Sequence, residues 1–249
     1  MNIGLVQSII IWEDKGKNII EAESTIARHS GIELFLFPEM SFTGFSMNTD
    51  LTAEFSRETV VRMSDIAKKY NVNIGFGWVR KKASKSENVY TILDSSGKLI
   101  SEYVKIHPFS YSGEDKYFQG GEDIKIFSIS NIPFTTFICY DLRFLEVFRT
   151  VADSIHAIII PANWPAKRSE HWKTLLRARA IENQVYIFAI NCQGDIGGQY
   201  YSGYSCIINP DGEVLEILSD KTGVISFDFV DDVDSYREKF PVLRDVKKF

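Results

Sequence analysis

The stretch PFTTFICYDLRFLEVFR, residues 133–149, carries an apolar, β-branched run into a cysteine, Cys139, at a break into polar residues. Residues 134–138 are rich in Phe, Thr and Ile, as a buried strand should be, and residues 141–153 show helical spacing at Leu142, Leu145, Val147, Phe148 and Val151. A strand that ends in Cys and turns at once into a helix holds the sulfur at the carboxyl edge of a sheet, where ligands bind in α/β folds. A helix N-terminus beside the sulfur would favour thiolate, and the backbone N–H of Tyr140 would point at an oxyanion formed on an attacked carbonyl. The same residues also read as an inert buried thiol, because free Cys packs like a small hydrophobe. The stretch by itself leaves both readings open.

At 249 residues the chain is long enough to bury a substantial core. With 45% hydrophobic and 24% charged residues and a net charge of −5, it has neither the basic surface of a nucleic-acid binder nor a polybasic membrane anchor. The three cysteines, Cys139, Cys192 and Cys206, have no CxxC spacing, which argues against a disulfide framework and against a zinc site. The start, MNIGLVQSIIIW, has no basic leader and no long apolar span, and reads as a first strand. These features predict a soluble, cytoplasmic protein.

Strands and helices alternate along the chain. Residues 3–7 form a strand, 17–28 a helix with Ile19, Ile20, Ile26 and Ala27 on its apolar side, and ELFLF at 33–37 a short buried strand stopped by Pro38. Glu39 lands at that strand's carboxyl edge, either as a salt-bridged surface carboxylate or as a buried one with the raised pKa a general base needs. Residues 40–50 are a loop, 57–70 a helix, 72–79 a strand and 80–87 an exposed turn. Two strands at 89–93 and 99–104 flank Asp94 to Lys98, a hairpin signal. The second arm ends at Lys105, which reads on its own as a solvated strand end. Residues 107–121 are irregular and crowded with Phe109, Tyr111, Tyr117 and Phe118 around Glu114, as if lining a pocket or a subunit contact. Strands follow at 124–129, 134–138 and 155–160, the last ending in Pro161-Ala-Asn-Trp-Pro165. A helix spans 170–183, and strands at 185–191, 204–209, 214–218 and 224–229 complete the pattern. The tail, 231–249, carries Phe240, Val242, Leu243 and Phe249 for docking on the body or on a neighbouring subunit. No repeat or linker divides the chain, so residues 1–249 are expected to form one α/β domain with sheets inside and helices outside.

Glu39, Lys105 and Cys139 each follow an apolar strand. If those strands lie side by side, the three side chains meet in one cleft, and together they suit acyl transfer from nitrogen. The thiol attacks the carbon, the carboxylate takes the thiol proton and passes it to the leaving amine, and the ammonium neutralises the oxyanion. A Cys–His pair is the competing arrangement. Of His29, His107, His156 and His171 only His107 and His171 fall in segments near the cleft, and neither has an evident Asn or Asp partner. The spacing of the histidines matches no metal motif.

Three segments, FPEMSFTGF around Glu39, YVKIHPF around Lys105 and ICYDLRF around Cys139, resemble in order the signature segments of the nitrilase superfamily of carbon–nitrogen hydrolases. The stretches GEDKYFQGG, ANWP and HWKTLLRARAIENQVYIFAIN extend the likeness across nearly the whole chain. The resemblance implies a four-layer αββα sandwich, dimeric or larger, that cleaves an amide or nitrile through a thioester-type intermediate and needs neither metal nor organic cofactor. It implies Glu39 as general base, Lys105 as oxyanion stabiliser, Cys139 as nucleophile, Glu114 as a second glutamate that positions the site, and the N–H of Tyr140 in the oxyanion hole. Leu145 departs from the pattern, since many relatives carry Pro there, but that proline takes no part in the chemistry.

Within the superfamily, CYDLRF together with NWPA, HW and RARAIENQ looks most like the ω-amidase branch, which acts on the terminal amide of 2-oxo dicarboxylic acid monoamides such as 2-oxoglutaramate. The small amide substrate would carry a free carboxylate and need a fixed cation. Arg143, about one helical turn beyond Cys139, suits that role, with Lys167 and Arg168 as weaker candidates. The alternative for Arg143 is a structural ion pair with Asp141 or Glu146. Asn163 and Trp164, in the matched loop, complete the substrate-binding candidates with Tyr140. Other specificities, toward N-carbamoyl amines, aliphatic amides or nitriles, and a catalytically silent assembly scaffold are the alternatives. The presence of Glu39, Lys105 and Cys139 together argues against the scaffold.

Overall fold

A computed structural model describes residues 1–247. The first half of the chain builds β1 (Asn2–Gln7), α1 (Lys15–Arg28), β2 (Leu34–Leu36), α2 (Thr49–Thr52), α3 (Glu58–Tyr70), β3 (Asn73–Arg80), β4 (Glu87–Leu93), β5 (Leu99–Val104) and α4 (Glu114–Tyr117). The second half builds β6 (Ile126–Ile129), β7 (Ile132–Thr136), α5 (Leu145–Val151), β8 (Ala157–Ala162), α6 (Ser169–Asn183), β9 (Tyr186–Asn191), β10 (Gln193–Ile196), β11 (Gln199–Ile208), β12 (Val214–Ser219), β13 (Gly223–Asp228) and α7 (Val233–Lys239).

Two sheets result. One runs β13-β1-β2-β3-β4-β5, and the other β10-β11-β9-β8-β7-β6 with β12 added beside β11. In each, a parallel trio (β1, β2, β3 and β7, β8, β9) is linked by helical crossovers, while the flanking strands are antiparallel. Period-two alternation decides which residues face where. Ile3, Leu5, Leu34 and Leu36 join Phe134, Ile158 and Ile160 of the other sheet in the central core. Val6, Phe35 and Phe37 point the opposite way, into a second core with Ile19, Ile26, Met63 and Ile66 of α1 and α3. Phe148, Trp172, Leu176 and Ala180 of α5 and α6 cover the second sheet. The expected αββα layering is therefore the observed one. Among the described residues no helix is long and apolar enough to cross a membrane.

Several local expectations change. On α1 the buried residues are Asn18, Ile19, Ala22 and Ile26, and Ile20 is exposed, because the apolar stripe is narrower than its composition suggests. The helix expected at 141–153 is interrupted: Cys139–Arg143 is a 3₁₀ turn, and the α-helix begins only at Leu145. Residues 80–87 are no exposed turn throughout, since Arg80 and Glu87 are paired in register on β3 and β4 and bridge each other at 2.6 Å. The irregular stretch 107–121 contains α4, and the strand expected at 204–209 starts earlier, at Gln199, and pairs with β10. The turn between β10 and β11 is Gly197-Gly198, both with positive φ, and a Cβ on Gly197 would lie 2.4 Å from the Trp12 ring. The tail docks on the body through α7: Val233 is buried and Arg237 donates to the carbonyls of Ala152 and Ile155. Phe240 is exposed, and Phe249 lies outside the described residues.

Gly77 positions the site. The chain leaving β2 crosses β3 so closely that a Cβ on Gly77 would sit 2.3 Å from the Met40 nitrogen and 2.9 Å from the Glu39 carbonyl carbon. The Ser41 N–H donates to the Gly77 carbonyl and the Gly77 N–H to Ser41 Oγ, sealing the crossing. Gly77→Ala forces the Pro38–Met40 backbone outward and is expected to destabilise the protein by about 1–3 kcal/mol, the range for overpacking. Urea unfolding checks this, and a change within about 0.5 kcal/mol would mean the crossing is looser than its geometry.

Candidate active site

Glu39, Lys105 and Cys139 do meet, although their strands are not neighbours. β2 and β5 lie in one sheet with β3 and β4 between them, and β7 belongs to the facing sheet. The side-by-side arrangement expected from the sequence is thus replaced by convergence of two facing sheets, bridged by the long reach of Lys105. Pro38 ends β2, and the turn that follows puts Met40 at φ 42°, which aims Glu39 inward.

Lys105 is fully buried and its Nζ lies 2.8 Å from Glu39 Oε1 and 2.9 Å from Glu114 Oε2. It is no solvated strand end, and Glu39 and Glu114 are wholly buried too. Burial opposes the Lys105 charge, but Glu114 and Glu39 outweigh it and hold the ammonium above its ordinary range. Burial pushes the Glu114 carboxyl up, Lys105 pulls it down, and the Glu39 charge pushes it up again, for a net rise. Asn88 on β4 donates to Glu39 Oε1 at 2.7 Å and to Glu114 Oε1 at 3.1 Å. The N–H groups of Asn163 and Phe109 donate to Glu39 Oε2 and Glu114 Oε2. Both carboxylates are therefore fixed at each oxygen. Asn88 escaped sequence reasoning because a lone Asn inside an apolar strand has no spacing signal.

Cys139 takes φ 46°, a left-handed conformation that costs a non-glycine residue strain and marks functional turns. The turn is held by Asp141, wholly buried, whose Oδ2 accepts from the Ile138 N–H at 3.0 Å and the Tyr103 hydroxyl at 2.8 Å. Its Oδ1 accepts from the His107 N–H at 2.9 Å and His107 Nδ1 at 2.8 Å. His107 therefore has the Asp partner that its sequence did not reveal, but it does not line the cleft beside Cys139. The expected helix N-terminus next to the sulfur is absent, and the thiol is not poised as thiolate. Burial first, then the Glu39 charge, push Cys139 well above its ordinary value, with Lys105 pulling the other way. Cys192 and Cys206 are buried free thiols, and Cys192 Sγ lies 2.9 Å from Asn163 Oδ1.

The thiol faces a cleft of about 230 Å³ whose walls include Tyr140, Arg143, Asn163, Trp164 and Phe109. Tyr140 packs on Phe109 with ring centroids 4.7 Å apart. Asn163 is more a strut than a wall, since its side-chain amide donates to the Glu39 carbonyl at 2.7 Å. Trp164 is anchored through its N–H to Asn191 Oδ1 and its indole to the Arg168 carbonyl. The Arg143 guanidinium lies over Trp164 at 4.8 Å and Tyr140 at 5.9 Å, and meets His171 Nδ1 at 3.2 Å. Among the described residues it pairs with neither Asp141 nor Glu146, so the structural ion pair is not formed. Burial, aided by Arg168, lowers its pKa from the ordinary arginine value. Arg168 sits over Phe109 and Tyr111, 5.3 Å from each ring. Among the described residues the lining holds Lys105, Arg143, Lys167 and Arg168 and no carboxylate. Trp12, Phe45, Ile196, Gly197, Gln199 and Tyr201 line the cleft unannounced. For the last four the signal was the Gly197-Gly198 pair between two short runs, which marks a hairpin.

The family model for carbon–nitrogen hydrolases matches residues 2–238. The chain is 34% identical over 252 residues to the 2-oxoglutaramate amidase of Bacillus subtilis, covering 99% of this chain and 97% of that protein. It is 31% identical over 252 residues to the omega-amidase YafV of Escherichia coli, covering 100% and 98%. Among solved structures, a CN-hydrolase superfamily protein from Xanthomonas campestris with an arsenic adduct in its active site superposes with a TM-score of 0.95 at 26% identity, covering 100% of this chain and 98% of that one. The three signature segments, the two facing sheets and these likenesses agree, and the chain belongs to the carbon–nitrogen hydrolase family of the nitrilase superfamily.

Proposed function

We propose that the protein is a cysteine-dependent amidase that hydrolyses the terminal amide of a small carboxylate-bearing substrate, a 2-oxo acid ω-amide such as 2-oxoglutaramate. The observation that carries this reading is Arg143, a guanidinium without a carboxylate partner among the described residues, standing in the same cleft as Cys139 and Lys105. A bound carboxylate would supply the missing partner bidentately. The relatives named 2-oxoglutaramate amidase and omega-amidase support the same substrate class.

The chemistry follows from the charges. Cys139 is a protonated thiol in the free enzyme, so its proton must leave as the sulfur attacks. Glu39, fixed by Lys105, Asn88 and the Asn163 N–H, takes that proton as the C–S bond forms. The amide oxygen becomes an oxyanion, stabilised by the Lys105 ammonium and the Tyr140 N–H. Glu39 passes the proton to the nitrogen, the C–N bond breaks, and ammonia leaves behind a thioester. Glu39 then takes a proton from water as the hydroxide adds to the acyl carbon; the C–S bond breaks, and the proton returns to sulfur. Glu114 keeps Lys105 charged and in place, so that the Lys105–Glu39 geometry survives both half-reactions.

The direct test measures ammonia release from 2-oxoglutaramate, succinamate, glutamine, an aliphatic nitrile and an N-carbamoyl amine. Wild type is expected to turn over 2-oxoglutaramate best, and Cys139→Ala to lose all measurable turnover; a Cys139→Ala protein that still releases ammonia would remove the nucleophile from the mechanism. Arg143→Ala is expected to raise KM for 2-oxoglutaramate by about tenfold to a hundredfold, the loss of a charge-assisted hydrogen bond, with little change for an uncharged amide such as propionamide. Equal losses on both amides would show that Arg143 acts on the turn and not on the carboxylate. Because a raised pKa leaves less thiolate at neutral pH, alkylation of Cys139 by iodoacetamide should be slow at about pH 7 and climb only above the ordinary value of 9.0. A plateau reached below about pH 8 contradicts the protonated thiol.

A further inference from the structure

Asp141 touches neither the cleft nor the Glu39–Lys105–Glu114 cluster, yet it is wholly buried and every oxygen is engaged. Its partners are distributed in a telling way. Tyr103 precedes Lys105 by two residues and His107 follows it by two, so three of the four donors come from the segment that presents Lys105. The fourth, the Ile138 N–H, belongs to the residue before Cys139, and Asp141 itself lies two residues after it. One carboxylate therefore grips the end of β5 in the first sheet and the turn after β7 in the second, on both sides of each functional residue.

We infer that Asp141 is a positioning residue that sets the register between Lys105 and Cys139 across the two sheets. The inference rests on the roles given to those two residues above. Both of its oxygens accept, so His107 Nδ1 must carry the proton it shares and the Tyr103 hydroxyl must donate. The His107 ring is braced by stacking on Phe144, with centroids 3.8 Å apart and planes 11° from parallel. Phe144 closes the 3₁₀ turn that begins at Cys139, so the stack ties the same two segments a second time. The left-handed Cys139 is thereby over-determined. Its strained φ persists because Asp141 fastens the N–H of the preceding residue. If the grip loosens, the backbone segments that carry Lys105 and Cys139 drift apart by fractions of an ångström.

The test uses Tyr103→Phe and His107→Ala, each of which deletes a side-chain donor and leaves Asp141 in place, with His107→Asn as the conservative variant whose amide nitrogen can stand in for Nδ1. Steady-state kinetics on 2-oxoglutaramate and the rate of Cys139 alkylation by iodoacetamide at pH 8 are measured on protein whose unfolding transition has been recorded. His107→Ala is expected to lower kcat about tenfold or more with KM within about twofold, since neither Tyr103 nor His107 lines the cleft. Alkylation should slow as well, because a displaced Lys105 no longer favours thiolate, and His107→Asn should recover most of both. The inference is overturned if Tyr103→Phe and His107→Ala keep kcat and alkylation within about twofold of wild type, or if the losses merely track the unfolded fraction and Asn does not rescue them. Should wild type fail to hydrolyse the ω-amide, the functional reading falls, and the alkylation rates of the same variants still decide whether Asp141 sets the pair.

Discussion

A buried ammonium clamped by two buried carboxylates is the constraint around which this protein is built. Lys105, Glu39 and Glu114 have no solvent to fall back on. Removing one partner of such a buried cluster leaves an uncompensated charge, a loss of about 3–5 kcal/mol. The fold meets this demand with hydrogen bonds from the strand ends themselves: Asn88 from β4, the N–H of Asn163 after β8 and the N–H of Phe109 after β5. The loops after β5 and β8 each commit a backbone N–H to the cluster. Charge fixed in this way is what would stabilise a developing oxyanion without reorganisation.

The buried cluster also shapes the thiol beside it. Burial first, and then the neighbouring Glu39 charge against the pull of Lys105, disfavour a thiolate, so Cys139 is stored as a thiol. In the proposed reaction, storage as thiol makes the carboxylate a working part, because the proton has to move in step with attack. The strained φ of Cys139 and the four donors on Asp141 belong to the same design. Sulfur is presented from a turn too tight for an ordinary helix start, and the turn is fastened to the lysine strand of the opposite sheet.

Outside this rigid floor the cleft has a different character. Its aromatic walls, Phe109, Tyr140 and Trp164, carry cations, Arg143 and Arg168, stacked on their faces. A guanidinium on an indole keeps its in-plane donors free, so the stack orients Arg143 without consuming its capacity to bind an anion. In the proposed function, the cations of the mouth would hold a substrate carboxylate and the buried Glu39–Lys105–Glu114 floor would act on the amide, two separate layers of one site.

Much of this was legible in the sequence because it is local. The apolar runs at 3–7 and 33–37 read as strands, Pro38 marked the end of the second, and three ordered segments around Glu39, Lys105 and Cys139 pointed to the site and its family. What stayed hidden depends on partners distant along the chain. Residues 141–153 have helical spacing throughout, yet Asp141 spends its carboxylate on Tyr103, His107 and Ile138, and the chain runs as a 3₁₀ turn before the helix can start. Lys105 looked like any exposed strand end until Glu39 and Glu114 were brought to it from 66 and 9 residues away. Asn88 had no pattern to announce it, and Arg143 could be told from a structural ion pair only once Asp141 was seen to be occupied. The sequence by itself determined the layers, the strand that leads into Cys139 and the family; the facing of two sheets, the pairing of charges and the state of the thiol were decided by tertiary structure, because desolvation and charge pairing depend on distance in space and not on separation along the chain.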